Sequence, residues 1–291
     1  PIPLMYLFED KNGKKQVVDG RQRISAILDF LEGKFKLNNL RILKQFNGCC
    51  FADLDLKQQG VIEDFQLLFY IIQPPTPERV KYDIFDRVNR GGTPLNKQEM
   101  RNALYRGRCT RMLDKLCCSP EFLIATGRSI NKERMKDQYV VLRAIAFLML
   151  HRGEFKDIPA LQYRGDIDDF LARFMVYVND NAPEKLIVDY ENLFIRCMQI
   201  SYDLLGENGF RFSGNGIRRP INMPLFEALS YLFSFVPEKI DYTWASRLIL
   251  DIESVKEEFD DSRYFSGNID STTSVSFRFD RMDKIINRIQ L

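Results

Sequence analysis

Histidine is nearly absent from this sequence. The 291 residues include only His151, which follows the apolar run AIAFLML and is expected to end a helix. Serine–histidine–aspartate catalysis and His-Glu-x-x-His zinc sites require histidines that this chain lacks. Enzyme classes built on histidine are therefore disfavoured, and the chain cannot itself be a nuclease of the His-Asn-His type.

Long apolar runs and cysteine motifs are lacking as well. No run approaches the roughly 18 apolar residues of a membrane span, and no segment has the composition of a signal peptide. The six cysteines include two adjacent pairs but no C-x-x-C spacing, which disfavours a zinc ribbon or a disulfide scaffold. We expect a cytoplasmic protein with reduced thiols and no contact with a membrane.

Charge of one sign is not in large excess either. The formal net charge is +2, so the whole chain is not the strongly basic object that nonspecific duplex binding favours. The positive excess lies in the first 110 residues, and the remainder is net acidic. Neither a Walker-type loop nor G-x-G-x-x-G occurs. Any phosphate chemistry is expected in the front part, in a cradle of another kind.

What is present predicts an α+β protein. The front mixes strand-like runs, PLMYLFED, KKQVV, CCFADL and FQLLFYIIQ, with helices at 21–32 and 55–65, and an Asn-Gly pair predicts a hairpin between the first two strands. Helical spacing dominates from residue 76 onward. We predict a small mixed-sheet domain at 1–110 and a mainly helical region at 111–291. The later helices are predicted at 76–91, 97–107, 109–118, 135–151, 167–179, 183–205, 222–235, 242–259 and 279–290.

The stretch QVVDGRQRISA is the strongest candidate for a site. A strand ending at Val18 leads into Asp19-Gly20, and a helix starts at once with Arg21 and Arg23 in its first turn. Glycine permits a tight turn and a close backbone approach, and a helix N-terminus favours anions. Arginines there oppose the helix dipole by about 0.3–1 kcal/mol each, so a ligand or an acidic neighbour should offset the cost.

The acidic neighbour is a real alternative. In this second interpretation, the arginines at this corner pair with surface acids such as Asp10, Asp19 or Glu32 instead of a ligand. Spacing alone gives the two interpretations about even weight.

Other polar segments are weaker candidates. In DRVNRGGTPLNKQE, residues 86–99, Asn89 and Arg90 precede a glycine pair, and Asn96 has the spacing of a helix cap. In RMKDQYVVLR, Arg143 is expected to form ion pairs on a helix surface together with Arg134 and Asp137. In STTSVSFRFDR, hydroxyl groups precede Arg278 and Arg281, and the loop FSGNGIRRP is long enough to hold groups that face a ligand.

Several of these blocks together resemble a known family. VVDGRQRI is similar to the D-G-Q-Q-R signature of the ParB/sulfiredoxin-like superfamily, in the branch that forms the N-terminal domain of GmrSD-type restriction enzymes and related phage-defence proteins. IFDRVNRGGTPLNKQEMRNALYRG, RMKDQYVVLRAIAF, GIRRPINMPLFEAL and STTSVSFRFDR resemble its later blocks in the same order.

The resemblance implies a nucleotide-binding front domain that in several members hydrolyses nucleoside triphosphates, with Mg²⁺ as the tentative cofactor. Asp19 would then orient the attacking water or the metal ion, and Gly20 would admit the phosphate. Arg21, Gln22 and Arg23 would hold it, with Arg21 and Arg23 acting in catalysis.

The same resemblance places Asn89 and Arg90 in this pocket and implies a partner, because family members act with a nuclease domain or subunit that this chain does not contain. The chain departs from the family in having Arg21 in place of the usual glutamine, and the family's preceding Q-R segment is expected to be missing. DNA is a further expected partner: the alternatives are a noncatalytic DNA-binding sensor and a DNA-nicking ParB-like nuclease.

Overall fold

The computed structural model describes residues 2–9, 13–73, 76, 80–81, 84, 87, 95–214, 218–237, 239 and 241–289. The chain divides into two compact units, residues 1–95 and 96–291. The first contains a small sheet with helices, and the second is helical. The predicted α+β class, with a mixed sheet in front of a mainly helical region, is therefore confirmed.

The front unit is built on a three-stranded mixed sheet. Its strands are β1 (Met5–Glu9), β2 (Lys15–Asp19) and β3 (Phe69–Ile72), in the order β2-β1-β3. Strand β1 pairs antiparallel with β2, as the hairpin prediction required, and parallel with β3. The Asn-Gly turn itself lies partly outside the described residues. The register shifts between Tyr6, which pairs with Asp19, and Leu7, which pairs with Val17, so Val18 is an extra residue in β2.

Two helices are described in the front unit. Helix α1 (Arg21–Leu31) ends before Gly33, whose φ of 72° is the left-handed conformation expected after a helix. Helix α2 (Leu56–Glu63) lies within the predicted range 55–65, and the side chain of Asp55 caps its start. The predicted strand CCFADL is wrong, because Phe51–Asp53 forms a short 3-10 helix. The helix predicted at 76–91 lies largely outside the described residues.

The second unit consists of helices that pack around an apolar core. The helix at 136–151 lies in this core, and its Val141, Leu142 and the run from Ala144 to Leu148 are fully enclosed. The helices are α3 (Lys97–Leu104), α4 (Arg108–Cys117), α5 (Pro120–Ala125), α6 (Lys136–His151), α7 (Ile167–Asp180), α8 (Glu184–Leu205), α9 (Met223–Phe233), α10 (Tyr242–Asp260) and α11 (Thr272–Ile289). His151 ends α6, as predicted, whereas α5 was not predicted and α11 begins earlier than expected.

Helix α9 lies between α6, α11 and α8, which explains why nearly all its side chains are buried. Helix α4 buries Cys109, Met112, Leu113 and Leu116, the spacing of one helix face. None of the described helices is long and apolar enough to cross a membrane.

Candidate functional site

The predicted strand-to-helix corner is present in the front unit. Strand β2 ends at Asp19, and α1 begins two residues later at Arg21. Gly20 joins them with φ 96°, a left-handed conformation that other residues rarely adopt. A Cβ atom at Gly20 would lie 2.5 Å from Cγ of Met5. The structure therefore requires glycine here both for the turn and for the close approach of Met5.

The start of α1 has no cap. Among the residues that the structure describes, no side chain bonds its first N–H groups, and its first turn has no acidic residue. The first backbone bond of the helix joins Ile24 N to Gly20 O at 2.8 Å, so the amides of residues 21–23 precede the internal ladder. An uncapped N-terminus carries positive partial charge and unbonded donors, which favours an anion.

The two arginines at this corner have different surroundings. Arg23 donates from Nη1 to the carbonyl of Pro3 at 2.9 Å and from Nη2 to the carboxylate of Asp19. Arg21 is exposed and makes no hydrogen bond or ion pair with any residue that the structure describes, and Gln22 is also exposed.

The structure thus brings Asp19 and Arg23 together and leaves Arg21 and Gln22 facing solvent. The acidic-neighbour interpretation holds for Arg23, whose partner is Asp19. Glu32 instead pairs with Lys34 at 2.6 Å, and Asp10 lies outside the described residues.

The second candidate segment is described only at its end. Asn89 and Arg90, with the glycine pair after them, lie outside the described residues. Asn96 does cap α3: its side chain accepts from the N–H groups of Gln98 and Glu99, and Glu99 accepts from Asn96 N at 2.6 Å. The predicted capping pair is confirmed.

Two of the weaker candidates in the helical unit, Arg143 and Arg278, belong to a buried ionic cluster. Arg143 is not on a helix surface: its guanidinium is 1% exposed and pairs with the fully buried Glu227 on α9. Arg278, also fully buried, pairs with the other oxygen of Glu227 at 2.7 Å, and Asp270 bonds Arg143 at 2.6 Å. Burial alone would lower the pKa of Arg143, but the Glu227 carboxylate raises it well above its usual value.

Sequence reasoning missed this cluster because Glu227 lies 84 residues from Arg143 along the chain. The arginines were visible, but the buried carboxylate that they share was not. Removing one member of such a cluster leaves an uncompensated buried charge, so its described role is structural.

In the part of the chain that the structure describes, neither the cysteines nor the potential metal ligands form a second candidate site. All six cysteines are unpaired, and burial raises the pKa of Cys197 to about 12, which disfavours the reactive thiolate. Over the described residues, no group of three or more histidine, cysteine or acidic side chains is arranged to hold a metal ion. The single histidine is a packed side chain, stacked on Phe279 with ring centres 3.6 Å apart.

The front unit is thus a small mixed-sheet domain whose strand-to-helix corner has an uncapped N-terminus and one unpaired arginine. Residues 1–106, out of 291, match the family model described as GmrSD restriction endonuclease, N-terminal domain. No curated protein and no solved structure matches the chain. The match supports the resemblance to a restriction-type defence protein for the front of the chain. The wider ParB-like superfamily and the D-G-Q-Q-R motif stay predictions.

Proposed function

We propose that this chain is a nucleotide-binding module of a prokaryotic restriction-type defence system, acting with a separate nuclease. The observation that carries the proposal is the corner after β2, where uncapped amides of α1 lie beside Arg21, an exposed guanidinium without a described partner. The match of residues 1–106 to the GmrSD N-terminal domain supports the restriction context. Planar guanidinium groups suit phosphate oxygens, and helix N-termini bind phosphates.

The residues at this corner would have different roles in binding the nucleotide. Arg21 and the first amides of α1 would contact the phosphates, and Gln22 would add an amide donor. Arg23 would act mainly through Asp19, because their ion pair holds that carboxylate at the end of β2. The family resemblance would add Asn89 and Arg90, which lie outside the described residues, to the same site.

The expected cofactor Mg²⁺ could bind at this corner in one way, together with the phosphates of a nucleotide. Proteins commonly hold this ion through one or two carboxylates together with substrate phosphates. Asp19 supplies one carboxylate, which suits an ion that arrives with a nucleotide. Bound in that way, Mg²⁺ would neutralise phosphate charge.

The test compares nucleotide binding and phosphate release in the wild type and three variants. Arg21→Ala is the cleanest, because Arg21 has no described partner whose loss would disturb the fold. We expect it to weaken nucleotide affinity by about tenfold, the loss of one charged hydrogen-bonding group. Asp19→Ala and Arg23→Ala should abolish any phosphate release. Arg41→Ala, which removes an exposed arginine outside the corner, is the matched control. Equal affinity and turnover in all five proteins would reject the assignment.

The exposure of Arg21 and Gln22 favours one second candidate, a noncatalytic DNA-binding sensor whose corner contacts backbone phosphate. This candidate predicts DNA affinity that falls steeply with salt concentration and does not respond to free nucleotide. The same Arg21→Ala variant should then reduce DNA affinity and the salt dependence together, while nucleotide binding stays undetectable in the wild type.

A further inference from the structure

A second basic site lies within the helical unit, in the loop that leads to α9. Residues 206–214 and 218–222 lie between α8 and α9, and a cavity of about 800 Å³ opens between these residues and α10. Four cationic side chains from the two segments line it: Arg211, Arg218, Arg219 and Lys256. The loop contains FSGNGIRRP, a polar segment that the function proposed above does not use.

Arg211 is the unusual member of this set. Its residue is only 4% exposed, yet its guanidinium bonds no carboxylate. It donates to the carbonyls of Glu207, Thr126 and Arg219 and to the hydroxyl of Ser129. These partners are neutral, so the bonds fix the guanidinium in place without compensating its charge.

The other three cations each have one carboxylate. Arg218 pairs with Glu207 at 2.7 Å, and Lys256 pairs with Glu253 at 2.9 Å. Arg219 is held by both carboxylate oxygens of Asp260. Among the described residues, these four cations therefore have three acidic partners, and Arg211 is the cation that none of the three bonds directly.

Burying a guanidinium whose hydrogen-bond partners are all neutral is costly: burial first, and then the nearby Arg218, lower the pKa of Arg211, and the Glu207 carboxylate offsets this only in part. An anion in the cavity would remove that cost. The pairs of Arg218 and Arg219 are partly exposed, between 33% and 52% by side chain. Exposed pairs contribute little stability, so these arginines can exchange a carboxylate for a ligand at small expense.

We propose that this cavity binds a phosphate-bearing ligand, with Arg211 as the fixed buried counterion and Arg218 and Arg219 as the exchangeable guanidinium groups at its mouth. Its volume falls within the range of small-molecule sites. One guanidinium group can bond two phosphate oxygens at once. The three guanidinium groups around this cavity supply more hydrogen-bond donors than a single carboxylate ligand uses. The phosphate belongs either to a free nucleotide or to a nucleic-acid strand. This site is independent of the corner in the front unit.

The experiment measures pyrophosphate binding to the full chain by titration calorimetry at low and moderate salt. We expect Arg218→Ala and Arg219→Ala each to weaken binding by about tenfold, and higher salt to weaken it further. Arg173→Ala, which removes a partly buried arginine paired with Asp169 and absent from the cavity lining, is the matched control and should bind as the wild type does. Competition by ATP, and separately by a short oligonucleotide, identifies the source of the phosphate.

The variant Arg21→Ala distinguishes this cavity from the corner in the front unit. Pyrophosphate binding at the cavity should survive that substitution and be lost in the double variant Arg218→Ala/Arg219→Ala. Binding lost in Arg21→Ala but kept in the double variant would overturn this inference and leave the front corner as the phosphate site. No binding in the wild type would also overturn it. A melting temperature within a few degrees of the wild type shows that the double variant is folded.

Discussion

The two units of this chain differ most in where their apolar side chains lie. In the helical unit, α6 and α9 are enclosed by their neighbours, and even four arginines are buried. In the front unit, many large apolar side chains are exposed. Those above 50% are Leu28, Ile42, Leu43, Leu56, Val61, Phe65, Leu68 and Tyr70. The buried apolar residues described there are few: Met5, Phe8, Phe30, Leu54 and Ile72.

This difference teaches where substitutions should be felt. Burial of apolar surface is the main source of folding stability, so the helical unit should carry most of it. Its buried ions then make it sensitive to the loss of a single charge. The front unit depends on a few close contacts around one turn, so its substitutions should act locally and by smaller amounts. Four measurements can test this difference between the two units.

The largest effect on stability is expected at Glu227, whose two carboxylate oxygens accept hydrogen bonds from Arg143 and Arg278 in the core. Glu227→Ala leaves both guanidinium groups without this acid and should lower the free energy of unfolding by about 3–5 kcal/mol. Denaturant unfolding measures it. Glu258→Ala is the control, because Glu258 pairs with Arg281 at a partly exposed position and should cost less than about 1 kcal/mol. Similar losses in the two variants would remove the distinction between the core and the surface.

The next effect is a dependence on pH. Burial first, and then the charge of Arg278, lower the pKa of His151 to about 3, from an ordinary value of 6.5. Between these two values the unfolded chain takes up a proton that the folded chain does not, so stability is complete above pH 6.5 and falls as pH drops toward 3. At pH 4.5 the loss from this group should be about 3 kcal/mol.

Because carboxylates titrate in the same range, the measurement is the difference between the wild type and His151→Phe. The variant keeps a ring against Phe279, and His151 Nε2 has no hydrogen bond to lose. Between pH 7 and 4.5 the wild type should lose about 3 kcal/mol more than the variant. Parallel losses would mean that His151 is protonated in the folded chain.

Local patterns predicted the elements well and the contacts between them poorly. Helix α1, the cap at Asn96 and the hairpin of β1 and β2 all follow from spacing within about ten residues. CCFADL was misread as a strand because six residues are too few to separate a strand from a short helix by period. The start of α11 was predicted too late, at residue 279, because serines and threonines often precede helices. In the structure the helix already begins at Thr272.

The candidate sites show the same limit. The corner at Gly20 was visible because a turn, a glycine and two arginines are adjacent in sequence. That Arg23 would face Asp19 while Arg21 faces solvent depends on the rotation of α1, which spacing does not give. The buried Arg143 was taken for a surface residue because its acid lies on α9. Long-range partners of charged residues are the information that one sequence lacks.

A smaller effect is expected in the front unit at Gly20. Gly20→Ala places a side chain in a left-handed conformation and against Met5, and should cost about 2 kcal/mol. Faster hydrogen exchange of the amides in β1, β2 and α1 measures it. Gly33→Ala is the matched control, since Gly33 also has positive φ but nothing within 4 Å of the added atom. Acceleration in the helical unit as well would contradict the view that the front unit responds locally.

The smallest effect is expected at Asn96, where the helical unit begins. Asn96→Ala removes the acceptor for the Gln98 and Glu99 amides and should cost about 1 kcal/mol. Asn96→Asp keeps that acceptor but loses the bond from Nδ2 to the carbonyl of Arg134, 2.7 Å away. Thermal unfolding of the two variants therefore separates the cap from the link to Arg134. If Asn96→Asp is as unstable as Asn96→Ala, the link carries the stability, and the start of α3 depends on a long-range contact as the ionic core does.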